Sequence, residues 1–252
     1  MRPAWPRYAI GLMLAGLLLA PLGLSAYPLD GYEETGIRRV EGARLANEGL
    51  AIGGFQPPGA MLTTAQVDLR LLDHTEMSLP DPDPAFTAEI RALLGEHAGA
   101  YGIAVLDLTD PDHPRYAEHR GDYRQNVGSV GKLLGALGYF QALADAWPDD
   151  YEKRKTILRD TIITADDFAH RDHHKVRFFD VESRVLTRQT IQDGDQASVW
   201  EYLDWMLSVS SNSAAAMIMR DAMLLRHFGQ AYPVSEEEIE AFFRDTPRRD
   251  LT

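Results

Sequence analysis

Ser129 and Lys132 are the first pair of residues in this 252-residue chain whose types and spacing could do chemistry. They lie in GSVGK, at the start of a long apolar run. Residues three apart share a face of a helix, so a helix that begins here would bring hydroxyl and amine together. A lysine amine in an apolar setting can take the proton of a serine and make it a nucleophile. The alternative is that Ser129 caps the helix and Lys132 extends to solvent.

Ser210 and Asn212 form a second candidate pair, two positions apart in LSVSSNSAAAMIM. They lie at a break between two apolar segments of helical spacing. On a tight turn both side chains can point into one cleft. Capping of the second helix by Ser211, Asn212 or Ser213 is compatible with that role. This second match strengthens the motif signal of the first pair.

The elements that must position these pairs are mostly helices, with one pair of strands. Apolar residues at 86, 90, 93 and 94 predict a helix, YGIAVLDL (101–108) predicts a buried strand, and RYAEHRG (115–121) predicts a second strand that pairs back. Apolar residues from Val130 to Ala146 predict a helix buried on nearly all sides. The pattern indicates an α+β fold, with a helical domain beside an antiparallel sheet that two strands alone leave incomplete.

Further helix boundaries are indicated by capping residues. Ser198 with Glu201, and Ser235 with Glu238, have capping-box spacing, and Gly229 ends the helix that follows Ser213. The segment EKRKTILRDTIITADDFA (152–169) is expected to be partly helical, whereas HRDHHKVRFFDVESRVLTRQ (170–189) has no clear pattern. The aromatic residues Trp200, Tyr202 and Trp205 are expected to belong to the core or to the wall of the cleft.

GSVGK on an apolar helix after a strand pair, followed by SSN between two helices, resembles the penicillin-interacting serine enzymes. These are the class A β-lactamases and the penicillin-binding D,D-peptidases. YGIAVLDL resembles the strand before their serine helix, and MLSVSSNSAAAMIMRDAM resembles the class A stretch around the second motif. The resemblance covers roughly residues 85 to 230, with a gap in the middle. It implies a β-lactamase/transpeptidase-like fold.

The resemblance also implies a role for each residue. Ser129 would be the acylated nucleophile, and its backbone N–H would form half of an oxyanion hole. Lys132 would help to deprotonate it, Ser210 would relay a proton to the leaving nitrogen, and Asn212 would hold the substrate amide and contact Lys132. The implied activity is cleavage of an amide bond in a β-lactam or a peptidoglycan peptide, with no cofactor and no metal.

Three departures from the family pattern limit this expectation. Ser211 stands where the family usually has aspartate, no Lys-Thr-Gly motif follows, and no Glu-x-x-Leu-Asn stretch follows Asn212. The glutamates at 236, 237, 238 and 240 are expected to open a solvated helix instead. The sequence therefore predicts a member that is incomplete at its C-terminus. The alternatives to a hydrolase are a sensor or binding domain that is acylated but not turned over, and an inactive fragment.

The spacer between the motifs contains a histidine cluster in ADDFAHRDHH (165–174). His170, His173 and His174, with the aspartates at 166, 167 and 172, could bind a metal and support a metal-dependent hydrolase. No known ligand spacing is matched, so we interpret this segment as a polar insertion loop without metal.

The N-terminal segment indicates export. Arg2 and Arg7 precede an apolar run from Ala9 to Leu24, and small residues allow cleavage after Ala26. Its 16 residues are fewer than the roughly 20 that span a bilayer, which favours a cleaved signal peptide over an uncleaved anchor. The predicted division is 1–26 signal or anchor, 27–83 irregular N-terminal region, and 84–252 hydrolase domain. The predicted location is periplasmic or extracellular, with membrane contact only through residues 9–24 if they are retained.

Composition excludes several functional classes. The net charge of −13 argues against nucleic acid as a partner, because a phosphate backbone attracts a basic surface. The absence of cysteine excludes disulfides, thiolate catalysis and cysteine-bound zinc. A small molecule or a peptidoglycan peptide remains the expected partner.

Overall fold

The computed structural model describes residues 27–28, 30–52, 61–67, 71, 73–124, 126–169, 172–247 and 249. The N-terminal segment 1–26 and His170 lie outside these residues, so the export prediction and one member of the histidine cluster are not described. Within the described ranges, no helix combines the length and the apolar character needed to cross a membrane.

The described residues form helices and short strands whose bounds are as follows. The helices are α1 (Gly31–Thr35), α2 (Arg38–Asn47), α3 (Pro84–Leu94), α4 (Lys132–Ala146), α5 (Tyr151–Asp160), α6 (Val199–Ser208), α7 (Asn212–Phe228) and α8 (Glu236–Asp245). The strands are β1 (Tyr27–Pro28), β2 (Met61–Leu62), β3 (Ile103–Asp107), β4 (Arg115–His119), β5 (Ile162–Thr164), β6 (Val176–Asp180), β7 (Val185–Gln189) and β8 (Gln196–Ser198). This is the mixed helix-and-strand content that the α+β prediction requires.

Contacts divide the chain into two compact units. The larger consists of Met1–Gln66 and Ser129–Thr252, and the smaller of Val67–Gly128. The predicted division into residues 27–83 and 84–252 stays a prediction.

The smaller unit is built on the strand pair expected from the sequence. β3 and β4 pair antiparallel, with Ile103 opposite His119 and Asp107 opposite Arg115. Helix α3 also forms where the apolar spacing predicts it. Asp83 caps its N-terminus by accepting hydrogen bonds from the backbone N–H groups of Ala85 and Phe86.

The larger unit has a helical core formed by α4, α6 and α7, which pack against one another. The largest fully buried side chains of this core come from all three helices: Tyr139, Leu143, Tyr202, Leu203, Trp205, Met206, Met217, Ile218, Leu224 and Leu225. The prediction that Tyr202 and Trp205 belong to the core is confirmed, and Trp200 is half-buried. Both capping boxes form as predicted, at the starts of α6 and α8.

The prediction that the helix after Val130 is buried on nearly all sides is wrong. α4 begins at Lys132, and its buried residues are Ala136, Tyr139, Ala142 and Leu143. Leu133, Leu134 and Leu137 lie on the opposite side of the helix, where their exposed fractions are 60%, 70% and 63%. A uniformly apolar helix gives no sequence signal for which of its faces will be buried.

Two segments of the larger unit have more structure than the sequence suggested. The region described above as irregular contains α1 and α2. Arg38 of α2 binds the carboxylate of Glu201 on α6, and Arg39 binds that of Asp204. The segment without a clear pattern forms the antiparallel pair of β6 and β7, with Val176 opposite Gln189.

Candidate active site

The amine of Lys132 is the centre of the candidate site. Lys132 Nζ lies 2.5 Å from the backbone oxygen of Ser210, 3.0 Å from Ser210 Oγ and 2.8 Å from Asn212 Oδ1. Ser129 Oγ is 3.5 Å from the same nitrogen, at the outer limit of a hydrogen bond. The structure therefore brings together all four residues that the sequence singled out, across about 80 positions of chain.

Ser129 is held by a tight turn that leads into α4. Residues Gly128–Gly131 form one turn of 3₁₀ helix, and Lys132 is the first residue of the α-helix. Gly128 has a φ of 54°, in the left-handed region that glycine enters without steric cost. Ser129 is exposed and Lys132 is half-buried. The hydroxyl thus faces solvent while the amine reaches inward to the turn before α7.

Ser210 has a strained backbone that aims two oxygen atoms at Lys132. Its φ of 60° is also left-handed, which costs a residue with a Cβ about 1–2 kcal/mol. In this conformation both the carbonyl oxygen and the hydroxyl of Ser210 contact Lys132 Nζ. Backbone strain of this kind often occurs at functional sites, where the surrounding structure enforces it.

The contacts of Lys132 set what the amine can do. Lys132 Nζ donates to the backbone oxygen of Ser210, to Ser210 Oγ and to Asn212 Oδ1, and Ser129 Oγ lies at the outer limit of a further hydrogen bond. The nitrogen therefore lies within reach of both serine hydroxyls, which is the placement that a group exchanging protons with them requires.

The N-terminus of α7 fixes the position of Asn212. Ser211 is the N-cap, and its hydroxyl accepts a hydrogen bond from Ala214 N. The same hydroxyl donates to Asp172 Oδ2, at 2.6 Å. That oxygen also accepts hydrogen bonds from the backbone N–H groups of Asn212, at 2.6 Å, and Ser213, at 3.1 Å. The first three N–H groups of the helix are therefore satisfied by two side chains.

Buried hydrogen bonds around Asp221 join α4 to α7, and we call this group of contacts the strut. Tyr139 on α4 donates a hydrogen bond of 2.6 Å to Asp221 on α7. Tyr232, after the end of α7, donates to both oxygens of the same carboxylate. Burial raises the pKa of the Asp221 carboxyl, although the two tyrosine hydroxyls act in the opposite direction.

The histidine cluster is partly assembled. In the described part of the chain, Asp172, His173 and His174 place potential ligand atoms within 4.8 Å of one another. Asp172 Oδ1, however, accepts hydrogen bonds from His174 Nδ1, at 2.5 Å, and from His174 N, at 3.1 Å. Both oxygens of the carboxylate are thus engaged within the protein. A cation would have to displace these bonds to bind there.

Comparison with known proteins identifies the family of the chain. A family model described as the beta-lactamase enzyme family matches residues 85–232, which is more than half of the chain. The chain belongs to the beta-lactamase enzyme family. No curated protein and no solved structure matches it.

Membership of the beta-lactamase enzyme family confirms the resemblance and the fold class drawn from the sequence. It supports a serine hydrolase that acts on β-lactam-like substrates. The catalytic roles of Ser129, Lys132, Ser210 and Asn212 stay predictions, now with a geometry that allows them.

Sequence reasoning treated Asp172 only as a possible metal ligand and missed its place in the site. The signal that could have found it is Ser211. Ser211 stands where the enzymes that the sequence resembles usually have aspartate, and a carboxylate from another segment is stabilising at such a helix N-terminus.

Proposed function

We propose that this chain is an exported serine hydrolase that cleaves an amide bond through an acyl-enzyme on Ser129. The observation that carries the proposal is the convergence of Ser129, Ser210 and Asn212 on Lys132 Nζ, within 3.5 Å. A nucleophile, a candidate base and two polar groups that can orient it are the parts required for acyl transfer.

The proposed reaction starts with a neutral Lys132 amine. The amine takes the proton of Ser129 as Oγ attacks the carbonyl carbon of the substrate. The C–N bond of the resulting tetrahedral intermediate then breaks, and the proton passes through the Ser210 hydroxyl to the leaving nitrogen. The acyl group remains as an ester on Ser129 until water hydrolyses it. Asn212 would hold both the amine and the substrate amide.

The substrate class follows from the family and from the exposure of the site. A β-lactam or a peptidoglycan peptide carries the required amide, and exposed Ser129 and Asn212 can meet it from solvent. The N-terminal segment supports export, since Arg2 and Arg7 precede an apolar run of signal-peptide length. A periplasmic or extracellular location would give the enzyme access to either substrate.

Intact-mass analysis after incubation with a penicillin tests this proposal. We expect the full chain to gain the mass of one acyl group, and Ser129→Ala to gain none. Ser208→Ala is the matched control, because Ser208 is an exposed serine close to the site that should leave acylation unchanged. An adduct that persists in Ser129→Ala would place the nucleophile elsewhere and contradict the proposal.

A second candidate function is that of a sensor, a domain that is acylated on Ser129 and releases the acyl group slowly. Glu238, one of the glutamates that follow Asn212, favours it, because this side chain accepts hydrogen bonds from Ser235 N and Oγ in the capping box of α8. Following the adduct over time separates the candidates. A hydrolase loses the adduct and releases product repeatedly, whereas a sensor keeps a stoichiometric adduct.

A further inference from the structure

Asp172 contacts the turn that carries Ser210 and Asn212, and no sequence motif indicates this contact. Its Oδ2 accepts hydrogen bonds from Ser211 Oγ and from the N–H groups of Asn212 and Ser213. Lys132 therefore contacts oxygen atoms of this turn, and Asp172 contacts its N–H and O–H donors.

The carboxylate of Asp172 is well suited to hold this turn. Its side chain is only 1% exposed. Burial acts to raise the pKa of the carboxyl, but the hydrogen bonds from Ser211 and His174 outweigh it and hold that pKa well below its usual range. The group is thus a buried anion at the N-terminus of a 17-residue helix, where the helix dipole and the free N–H groups favour negative charge.

The segment that carries Asp172 is itself fixed in place. His174 donates from both its backbone N–H and its ring to Asp172 Oδ1. Ser213 Oγ donates to the backbone oxygen of Ala169, so the start of α7 has a second contact with the chain that precedes Asp172. The bonds from His174 fix the carboxylate relative to its own segment, and from there it accepts hydrogen bonds from the turn.

We propose that Asp172 is a positioning residue of the active site, and that it supplies from an upstream segment the carboxylate that this family usually carries at the position of Ser211. The Ser211 hydroxyl connects that carboxylate to the N-cap, since it donates to Asp172 and accepts from Ala214 N. Asp172 acts through the backbone of Asn212 and does not touch substrate. This inference rests on the proposed function, because it concerns how that site is held.

The test is to move the carboxylate along the chain. Four proteins are compared: wild type, Asp172→Asn, Ser211→Asp, and the double variant. For each, the second-order rate of acylation by a penicillin is measured from intact mass, at a temperature where all four are folded by circular dichroism. Asp193→Asn is the matched control, since Asp193 is an exposed aspartate in a turn of the same unit.

The proposal gives each variant a distinct result. Asp172→Asn should lower the acylation rate on the order of 10- to 100-fold, because a small displacement of a positioning group costs that much. Ser211→Asp alone should also lower it, since two carboxylates would then compete for one set of donors. The double variant should recover most of the loss. In the proposal, Ser211→Asp lowers the acylation rate of the wild type but raises that of Asp172→Asn. If Asp172 had a structural role alone, its replacement would lower thermal stability without this reversal.

Two results would overturn the inference. One is an acylation rate in folded Asp172→Asn that equals the wild-type rate. The other is a double variant no faster than Asp172→Asn. Either leaves acylation of the wild type intact, so the proposed function would survive.

If the wild type itself is not acylated, the proposed function fails and hydrogen exchange tests the inference without substrate. The amides of Asn212 and Ser213 should exchange faster in Asp172→Asn and return towards the wild-type rate in the double variant. Unchanged exchange in Asp172→Asn would refute the positioning role.

Discussion

Replacement of Asp221 by alanine tests the strut that joins the two motif-bearing helices. The carboxylate receives hydrogen bonds from Tyr139 on α4 and Tyr232 beyond α7, at 2.6 to 2.8 Å. The exposed fractions of these tyrosines are 0% and 3%. Asp221→Ala would leave both hydroxyls in the core without a carboxylate to accept their bonds.

The expected loss can be worked out from these contacts. An orphaned buried hydroxyl costs about 1–3 kcal/mol, so two of them cost about 2–6 kcal/mol. A domain of this kind is stable by about 5–15 kcal/mol in total. Asp221→Ala should therefore lose a large part of the free energy of unfolding. Asp221→Asn keeps the shape and one acceptor, and should lose less.

The pH dependence of the strut has a defined sign. The pKa of Asp221 in the folded state is raised by burial above its usual value of 3.8. The stability that the neutral carboxyl contributes is fully present below that value and is lost as the pH rises through the raised pKa. Asp221→Asn cannot ionise, so this part of the pH dependence should disappear in that variant.

Urea unfolding followed by tryptophan fluorescence and far-UV circular dichroism measures these effects. Tyr151→Phe is the matched control, because Tyr151 is 63% exposed and its change should be close to zero. A loss below about 1 kcal/mol in Asp221→Ala would refute the reasoning, since it would mean that the buried hydroxyls find other partners at no cost.

Four further outcomes are expected. Ser210→Gly should be more stable than Ser210→Ala by about 1 kcal/mol in urea unfolding, because glycine removes the left-handed strain; equal stability would argue against that strain. Lys132→Ala should lower the acylation rate about 10²- to 10⁴-fold, the range of a general base, with Lys153→Ala unchanged; a rate near wild type would assign the base elsewhere. Leu134→Lys should change the free energy of unfolding by less than about 0.5 kcal/mol, since Leu134 is 70% exposed, and a larger loss would reveal a packing partner. Hydrogen bonds lower the pKa of Asp172, so the stability that its carboxylate contributes is present above about pH 4 and is lost as the pH falls. In thermal melts from pH 6 to about pH 3, the melting temperature of Asp172→Asn should therefore fall less than that of the wild type. An equal fall would contradict the lowered pKa.

The parts of the fold that local chemistry determines could be predicted from the sequence. Ser198 and Ser235 each precede a glutamate at capping-box spacing, and both helices begin there. The β3–β4 pair follows from an apolar run, a turn and a second strand. Ser129 and Lys132 meet because three-residue spacing on a helical turn is a local constraint, and the contact with Ser210 and Asn212 was expected only by resemblance.

The parts that depend on distant contacts could not be predicted. An apolar helix such as α4 does not show which face has a partner, so the exposure of Leu133 and Leu134 carries no sequence signal. α2 is held to α6 by the Arg38–Glu201 and Arg39–Asp204 ion pairs, which lie more than 160 positions apart. The bond between Asp172 and Ser211 spans 39 positions and belongs to no motif.

The Ser211–Asp172 hydrogen bond has a consequence for how relatives of this chain diverge. When a carboxylate from another segment binds the turn, aspartate is no longer required at position 211. Other residues can then occur at the middle position of the second motif, provided that the acid is kept at position 172. Positions 172 and 211 should then covary among relatives, with an acid at one and a small hydroxyl at the other. Searches that require aspartate inside the motif would pass over such lineages.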